Sequence, residues 1–102
     1  MSHLVQILLP VRDDDGRSFQ EADYERVASD LTCRFGGVTA FTRSPAQGRW
    51  LADGKTEHDD IVVVEVIDPD FDRTFWEGYR VELESRFRQD VILIRAQQTE
   101  II

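Results

Sequence analysis

The chain has 102 residues, a formal net charge of −8 and a hydrophobic content of 41%. These values predict one globular domain over residues 1–102 and argue against a disordered chain. The acidic balance disfavours nucleic acid and anionic membranes as partners, because both need a concentrated basic surface. No membrane span or signal peptide is evident, and a single cysteine rules out an internal disulfide. We therefore expect a cytoplasmic protein.

The N-terminal third predicts a strand followed by a helix. Residues 4–11 form a largely apolar run with Gln6 as its one polar residue, which is typical of a buried strand. Ser18 and Glu21 have the spacing of a capping box, in which each side chain bonds the other's backbone amide. Apolar residues then recur at helical spacing over residues 24–35, until Gly36-Gly37 ends the helix.

The middle of the chain predicts a long β-hairpin. Residues 38–42 have the composition of a second strand, which the turn-forming residues 44–48 interrupt. Asp53-Gly54 is a two-residue hairpin signal, because both positions tolerate a positive φ. The third strand then returns over residues 55–67.

The C-terminal third predicts a second helix and a fourth strand. Asp68 can cap the helix and Pro69 suits its first turn. Aromatic and aliphatic residues recur on one stripe over residues 71–87, and residues 91–96 form the last strand. The order βαββαβ resembles the ferredoxin-like split-βαβ arrangement of the α+β class. Right-handed crossovers then predict a four-stranded antiparallel sheet of order 4-1-3-2, with both helices on one face.

Three strand-like runs, residues 4–11, 61–67 and 91–96, are apolar on both faces, although a sheet with one solvated face should alternate. Each carries one polar residue on its second face: Gln6 in the first strand, Glu65 in the third and Arg95 in the fourth. In the order 4-1-3-2 these residues fall on neighbouring strands, so we expect a polar row across an apolar surface. The purely apolar faces belong to the helix layer, because a small core tolerates few unpaired polar groups.

The polar row admits three interpretations. It can set the register of a protein–protein interface, it can contact or transform a ligand, or it can be solvated. A partly buried Glu65 would suit acid–base chemistry. Trp50 pairs with Glu57 in the hairpin. If no bulge intervenes, Trp50 falls at the outer end of the same face. There it can pack the hairpin against the sheet, line a pocket or join an interface. The candidate pocket or interface therefore comprises Gln6, Trp50, Glu65 and Arg95, and no catalytic residue is assigned.

The sequence predicts neither a metal site nor a cofactor. Glu57-His58-Asp59-Asp60 is the densest group of potential ligands, but neighbouring residues on a strand point to opposite faces. Asp13-Asp14-Asp15-Gly16 lacks the ligand spacing of a calcium loop. Solvated acidic segments account for both groups.

From about Tyr24 onward, the chain resembles an uncharacterised family of small bacterial α+β domains. The resemblance rests on Phe35-Gly36-Gly37-Val38-Thr39, Gly48-Arg49-Trp50, Gly54, Glu57, the hydrophobic third strand, the second helix and Val91-Ile92-Leu93. It implies the ferredoxin-like fold and the extended hairpin, and it brings no activity.

More loosely, the doubly apolar sheet is similar to the dimeric α+β barrel group, in which two sheets face each other and enclose a small-molecule pocket. Members of that group include cofactor-independent monooxygenases, haem-binding proteins and regulatory modules. We therefore expect a homo-oligomer, in the simplest case a homodimer, that uses its open sheet face as a binding or interaction surface. The alternative is a monooxygenase-like small-molecule enzyme with its pocket at that face.

Overall fold

The computed structural model describes the backbone of residues 1–52 and 54–102, and the side chains outside 42–48, 50, 52, 53 and 55–59. The elements are β1 (His3–Pro10), α1 (Glu21–Phe35), β2 (Thr39–Ala52), β3 (Lys55–Asp68), α2 (Arg73–Arg86) and β4 (Leu93–Gln98). The predicted order βαββαβ is confirmed. In the described part of the chain, no helix has the length and apolarity needed to cross a membrane.

The four strands form one antiparallel sheet in the order β2-β3-β1-β4. This is the predicted order 4-1-3-2 read from the other edge, and together with the two helices it confirms the ferredoxin-like α+β fold. β1 lies in the interior of the sheet, where Gln6 stands directly opposite both Glu65 of β3 and Arg95 of β4. The sheet therefore brings the three predicted residues to one level.

The core lies between the helices and one face of the sheet. Alternate residues of β1 and β3 enter it, as strand parity predicts: Val5, Ile7, Leu9, Val62, Val64 and Val66. α1 contributes Val27 and Leu31, and α2 contributes Leu83, all of them fully buried. Because the purely apolar side of each strand meets the helices, the polar residue of each strand is left on the opposite face.

The first helix begins later than its sequence signal predicts. α1 starts after Gln20, whose backbone N–H donates to the Asp23 carboxylate at 2.8 Å. Ser18 instead forms an isolated β-bridge with Arg12. The predicted capping box of Ser18 and Glu21 is therefore wrong, because Ser18 is held in extended pairing before the helix starts.

The second helix also begins later than predicted. Asp72 is its N-cap, and the Asp72 carboxylate accepts from the Phe75 N–H at 3.3 Å. The predicted cap, Asp68, is buried and accepts from Trp76 Nε1 at 2.8 Å. Asp68 therefore anchors the first turns of α2 to the end of β3, and the cap falls four residues further on.

The hairpin turns where the sequence predicts. Ala52 pairs with Lys55 across the two-residue turn, and Gly54 has a φ of 76°. Asp53, the other turn residue, lies outside the described residues. The pairing of β2 with β3 continues away from the turn without a break as far as Ala46, which lies opposite Ile61.

The predicted interruption of β2 at residues 44–48 is wrong, because the strand is continuous there. What occurs instead is a register shift: Phe41 lies opposite Val63, but Ala46 lies opposite Ile61. An advance of five residues along β2 therefore corresponds to an advance of only two residues along β3. Pro45 lies within the shift, where its missing N–H removes no regular ladder bond of this edge strand.

Tyrosine hydroxyls link α1 to α2 and to the end of β1. Tyr79 of α2 donates to the Asp30 carboxylate of α1 at 3.1 Å, and Arg86 pairs with the same carboxylate at 2.8 Å. Burial and the Asp30 charge raise the pKa of Tyr79. Tyr24 donates to the Pro10 carbonyl at 2.7 Å, and burial together with a nearby negative charge raises the pKa of Tyr24 to about 12.

Candidate functional site

The polar row, consisting of Arg95, Gln6 and Glu65, is present on the open face, which is the face opposite the helices. Arg95 Nε donates to Gln6 Oε1 at 2.7 Å, and Gln6 Nε2 donates to Glu65 Oε1 at 2.7 Å. Thr39 of β2 lies opposite Glu65, so this level of the sheet spans all four strands. The two contacts fix the amide orientation, because the reversed amide would set donor against donor.

The row has a positive end at Arg95 and a negative end at Glu65. Gln6 bridges the two charges, which lie on strands separated by β1. The amide satisfies one carboxylate oxygen of Glu65, while Oε2 has no hydrogen-bond partner among the described side chains. The row therefore offers a hydrogen-bond acceptor at one end and guanidinium donors at the other.

Apolar side chains surround the row on the same face. They are Leu4 and Leu8 of β1, Phe41 of β2, Ile61, Val63 and Ile67 of β3, and Leu93 of β4. Phe41, Ile67 and Leu93 are 46%, 38% and 51% exposed. A groove of about 520 Å³ continues this surface past Leu93 to Val91, which is 74% exposed. The open face is thus an apolar surface with one internally bonded polar row.

Trp50 is the fourth residue of the predicted candidate surface. The register places Trp50 opposite Glu57, as the sequence predicts. Both side chains lie outside the described residues, so the position of the Trp50 ring on the open face stays a prediction.

A second groove, here called the corner groove, adjoins the Glu65 end of the row. It measures about 450 Å³ and is lined by Leu4, Phe35, Gly36, Gly37, Val38, Thr39, Glu65, Val66 and Ile67. It exists because β2 begins opposite Glu65 while β3 runs on to Asp68, so the end of β3 extends past its neighbour. The connection from α1 to β2 forms the other wall.

Sequence reasoning missed the corner groove. It treated Gly36-Gly37 as a helix stop, which the structure confirms, since Gly36 is the C-cap of α1 with a φ of 84°. The groove arises from the stagger of two strands of equal length, 14 residues each, which the register shift in β2 produces. β2 begins only at Thr39, opposite Glu65, although β3 continues to Asp68.

Metal ligands do not converge in the described part of the chain. No group of three or more His, Cys, Asp or Glu side chains comes together there. The side chains of Glu57, His58 and Asp59, which belong to the densest group of potential ligands in the sequence, lie outside the described residues.

Comparison with known proteins identifies the fold. No family model matches the chain, and no curated protein matches it. A divalent cation tolerance protein, Cut A1 from Thermus thermophilus, is 14% identical with a TM-score of 0.66, over 97% of this chain and 84% of that chain. The periplasmic divalent cation tolerance protein CutA from Archaeoglobus fulgidus is 18% identical with a TM-score of 0.66, over 99% and 86% of the two chains.

A third solved structure is a phage SAM lyase in complex with S-methyl-5'-thioadenosine. It is 16% identical with a TM-score of 0.62, over 95% of this chain and 81% of that chain. At these identities the likeness shows the fold alone. It is the ferredoxin-like fold that the strand order already indicates.

Proposed function

We propose that the chain is a homo-oligomeric binding or interaction module that uses its open sheet face, with a homodimer as the simplest assembly. The observation that carries this proposal is the apolar surface around the polar row, where Phe41, Ile67 and Leu93 are all exposed. Contiguous apolar patches on folded domains mark interaction sites, because leaving them in water is unfavourable. A second copy of the same face would cover them.

The charges of the row support a second copy as the occupant. A two-fold axis running parallel to β1 through Gln6 reverses the direction of the row. Arg95 of one copy then stands over Glu65 of the other, at both ends of the interface. Such an isologous contact is self-complementary in charge as well as in apolarity.

A small-molecule enzyme with its pocket at this face is the second candidate. The corner groove favours it, since a cavity of about 450 Å³ that touches Glu65 is within the size range of ligand sites. The phage SAM lyase, solved with S-methyl-5'-thioadenosine, is a protein of this fold that holds a small molecule. A monooxygenase-like activity would use the same face, and oxygen uptake in the presence of candidate phenols tests it.

Two finer assignments accompany the proposal. The first is membership of the uncharacterised bacterial family of small α+β domains, supported by the motif that runs over residues 35–39. The second is a cytoplasmic location, whereas the neighbour from Archaeoglobus fulgidus is a periplasmic protein. Fractionation of cells that produce the full chain tests the location directly.

A charge placed on the open face tests self-association. Leu93→Glu introduces a carboxylate where the second copy would pack, and Val81→Glu is the matched control. Leu93 and Val81 are similarly exposed, at 51% and 57%, but Val81 lies on α2. In sedimentation velocity, we expect the unmodified chain and Val81→Glu to form the same oligomer and Leu93→Glu to sediment as a monomer. An unchanged oligomer in Leu93→Glu would contradict the proposal.

A further inference from the structure

The corner groove combines an unshared carboxylate oxygen with apolar walls. Glu65 Oε1 accepts from Gln6, whereas Oε2 is free of hydrogen bonds from the described side chains. No described arginine lies within ion-pair distance of Glu65. Leu4 and Ile67 supply an apolar floor beside the carboxylate. A ligand that lies there meets one negative charge on an otherwise apolar surface.

The C-terminus of α1 adds to the negative potential of the groove. The helix ends at Phe35, and the last carbonyls of a helix lack intrahelical partners and carry its negative dipole end. Gly36 N–H caps one of them, the carbonyl of Thr32. The guanidinium of Arg34, the basic residue of the last turn, lies 3.8 Å from the centre of the Phe75 ring, 5.6 Å from the centre of the Phe35 ring and 3.9 Å from Asp72, which balances part of its charge.

The aromatic wall of the groove is rigid. Phe35 stacks on Trp76 at 5.3 Å between ring centres with an interplanar angle of 6°, and Trp76 is bonded to the buried Asp68. Because Phe35 already stacks on Trp76 and has the Arg34 guanidinium 5.6 Å from its centre, the ring suits the apolar part of a ligand. A divalent metal ion would need several oxygen ligands, and the groove offers one carboxylate.

We propose that the corner groove binds an organic cation, namely an ammonium or other onium head group on a small apolar body. Glu65 Oε2 and the carbonyl end of α1 face the positive charge, and Leu4, Ile67 and Phe35 contact the apolar part. A weakly hydrated cation suits this surface because it loses little solvation on entering. The net charge of −8 favours its approach. The inference rests on the open face being a binding surface and applies to the single chain, because in the proposed dimer Arg95 of the second copy would stand over the same Glu65 and compete with the cation.

The test is a titration of the 15N-labelled full chain with choline, followed by amide chemical shifts. The comparison ligand is 3,3-dimethyl-1-butanol, which has the same shape with carbon in place of the charged nitrogen. We expect saturable shifts at the amides of Gly36, Gly37 and Thr39 with choline, and about tenfold weaker binding of the neutral alcohol. Equal binding of the two ligands, or shifts confined to other parts of the chain, would overturn the inference.

Two variants test whether the Glu65 charge and the open space beside Gly37 are needed for choline binding. Glu65→Gln removes the carboxylate with little change in shape and should weaken choline binding about tenfold. The matched control, Glu25→Gln on the exposed side of α1, should leave the choline affinity unchanged. Gly37→Leu should abolish binding, because the space above Gly37 is open and its φ is not in the left-handed region. Retained choline affinity in Glu65→Gln would overturn the inference.

The outcomes separate this inference from the proposed function. A chain that self-associates through the open face but shows no choline-dependent shifts after dilution to the monomer overturns the cation site alone. A chain that stays monomeric and still binds choline at Gly36 and Gly37 overturns self-association alone and supports the cation site.

Discussion

Gln6 and Glu65 face each other across β1 and β3, and Gln6 Nε2 donates to Glu65 Oε1 at 2.7 Å. The other end of the same amide accepts from Arg95 Nε at 2.7 Å. Gln6 thus links opposite charges that lie two strands apart. A neutral amide suits this position because it presents an acceptor to the guanidinium and a donor to the carboxylate.

Removing the amide should destabilise the fold. We expect Gln6→Leu to lower the free energy of unfolding by about 1 kcal/mol relative to Gln97→Leu, because two hydrogen bonds to charged groups are lost and only part of the loss is recovered by apolar contact. Gln97 is the control because it is exposed and lies on the same face of β4 as Arg95. Urea denaturation measures both variants. Equal stabilities of the two would show that the bridge contributes nothing.

Charge reversal at the two ends of the row tests the proposed two-fold arrangement. Arg95→Glu gives a row with two negative ends, and Glu65→Arg gives a row with two positive ends. Each variant alone should self-associate at least about tenfold more weakly, since like charges then face one another across the interface. An equimolar mixture should form a heterodimer, because the opposite charges again meet at both ends.

Sedimentation of the two charge-reversal variants, separately and mixed, measures whether mixing restores self-association. An arrangement without this two-fold relation predicts no recovery on mixing. A mixture that behaves as the sum of its components would therefore contradict the placement of Arg95 over Glu65.

The buried bond between Asp68 and Trp76 should be a main anchor of α2. Both residues are 4% exposed, and Asp68 also accepts from the Asp70 N–H at 3.2 Å. We expect Asp68→Leu to cost about 3 kcal/mol, because it leaves buried donors unpaired, and Asp68→Asn to cost less, because one carbonyl oxygen remains to accept from the indole. Thermal unfolding measures both, and similar losses for the two variants would contradict the assigned role.

The two tyrosines should resist ionisation in the folded protein. Burial raises the pKa of Tyr24 from 10.0 to about 12, and burial with the Asp30 charge raises the pKa of Tyr79 further. Because both folded values lie above the unfolded value, each contribution to stability is complete below pH 10 and is lost as the pH rises through the folded pKa, which is about 12 for Tyr24. An absorbance titration at the phenolate band reads this directly. Ionisation of either tyrosine near pH 10 without unfolding would contradict it.

The strand order and the polar row could be predicted because they follow from side-chain alternation and from the handedness of crossover connections. Side chains alternate along a strand, so the polar residue of each strand falls on a known face once the apolar face is assigned to the core. The right-handed crossover rule then makes the strands of Gln6, Glu65 and Arg95 neighbours. Hydrogen bonding between these residues follows from their shared level in the sheet, which the register confirms.

The features that the sequence predicts wrongly or misses depend on how separate elements of the fold meet. Asp68 has the sequence context of a helix cap, but the indole N–H of Trp76 captures its carboxylate, so Asp72 becomes the cap. The register shift in β2 reflects how a strand containing Pro45 pairs with a partner that has no matching irregularity. The corner groove depends on where β2 starts beside β3, and local pattern does not set that relation.

The central claim is that a second copy of the chain covers the open face. Sedimentation equilibrium of the unmodified protein at high micromolar concentration tests it most directly. The account predicts a mass that is a multiple of the 11.8 kDa chain mass, with a dimer as the simplest case. A mass of 11.8 kDa across the whole concentration range would contradict it.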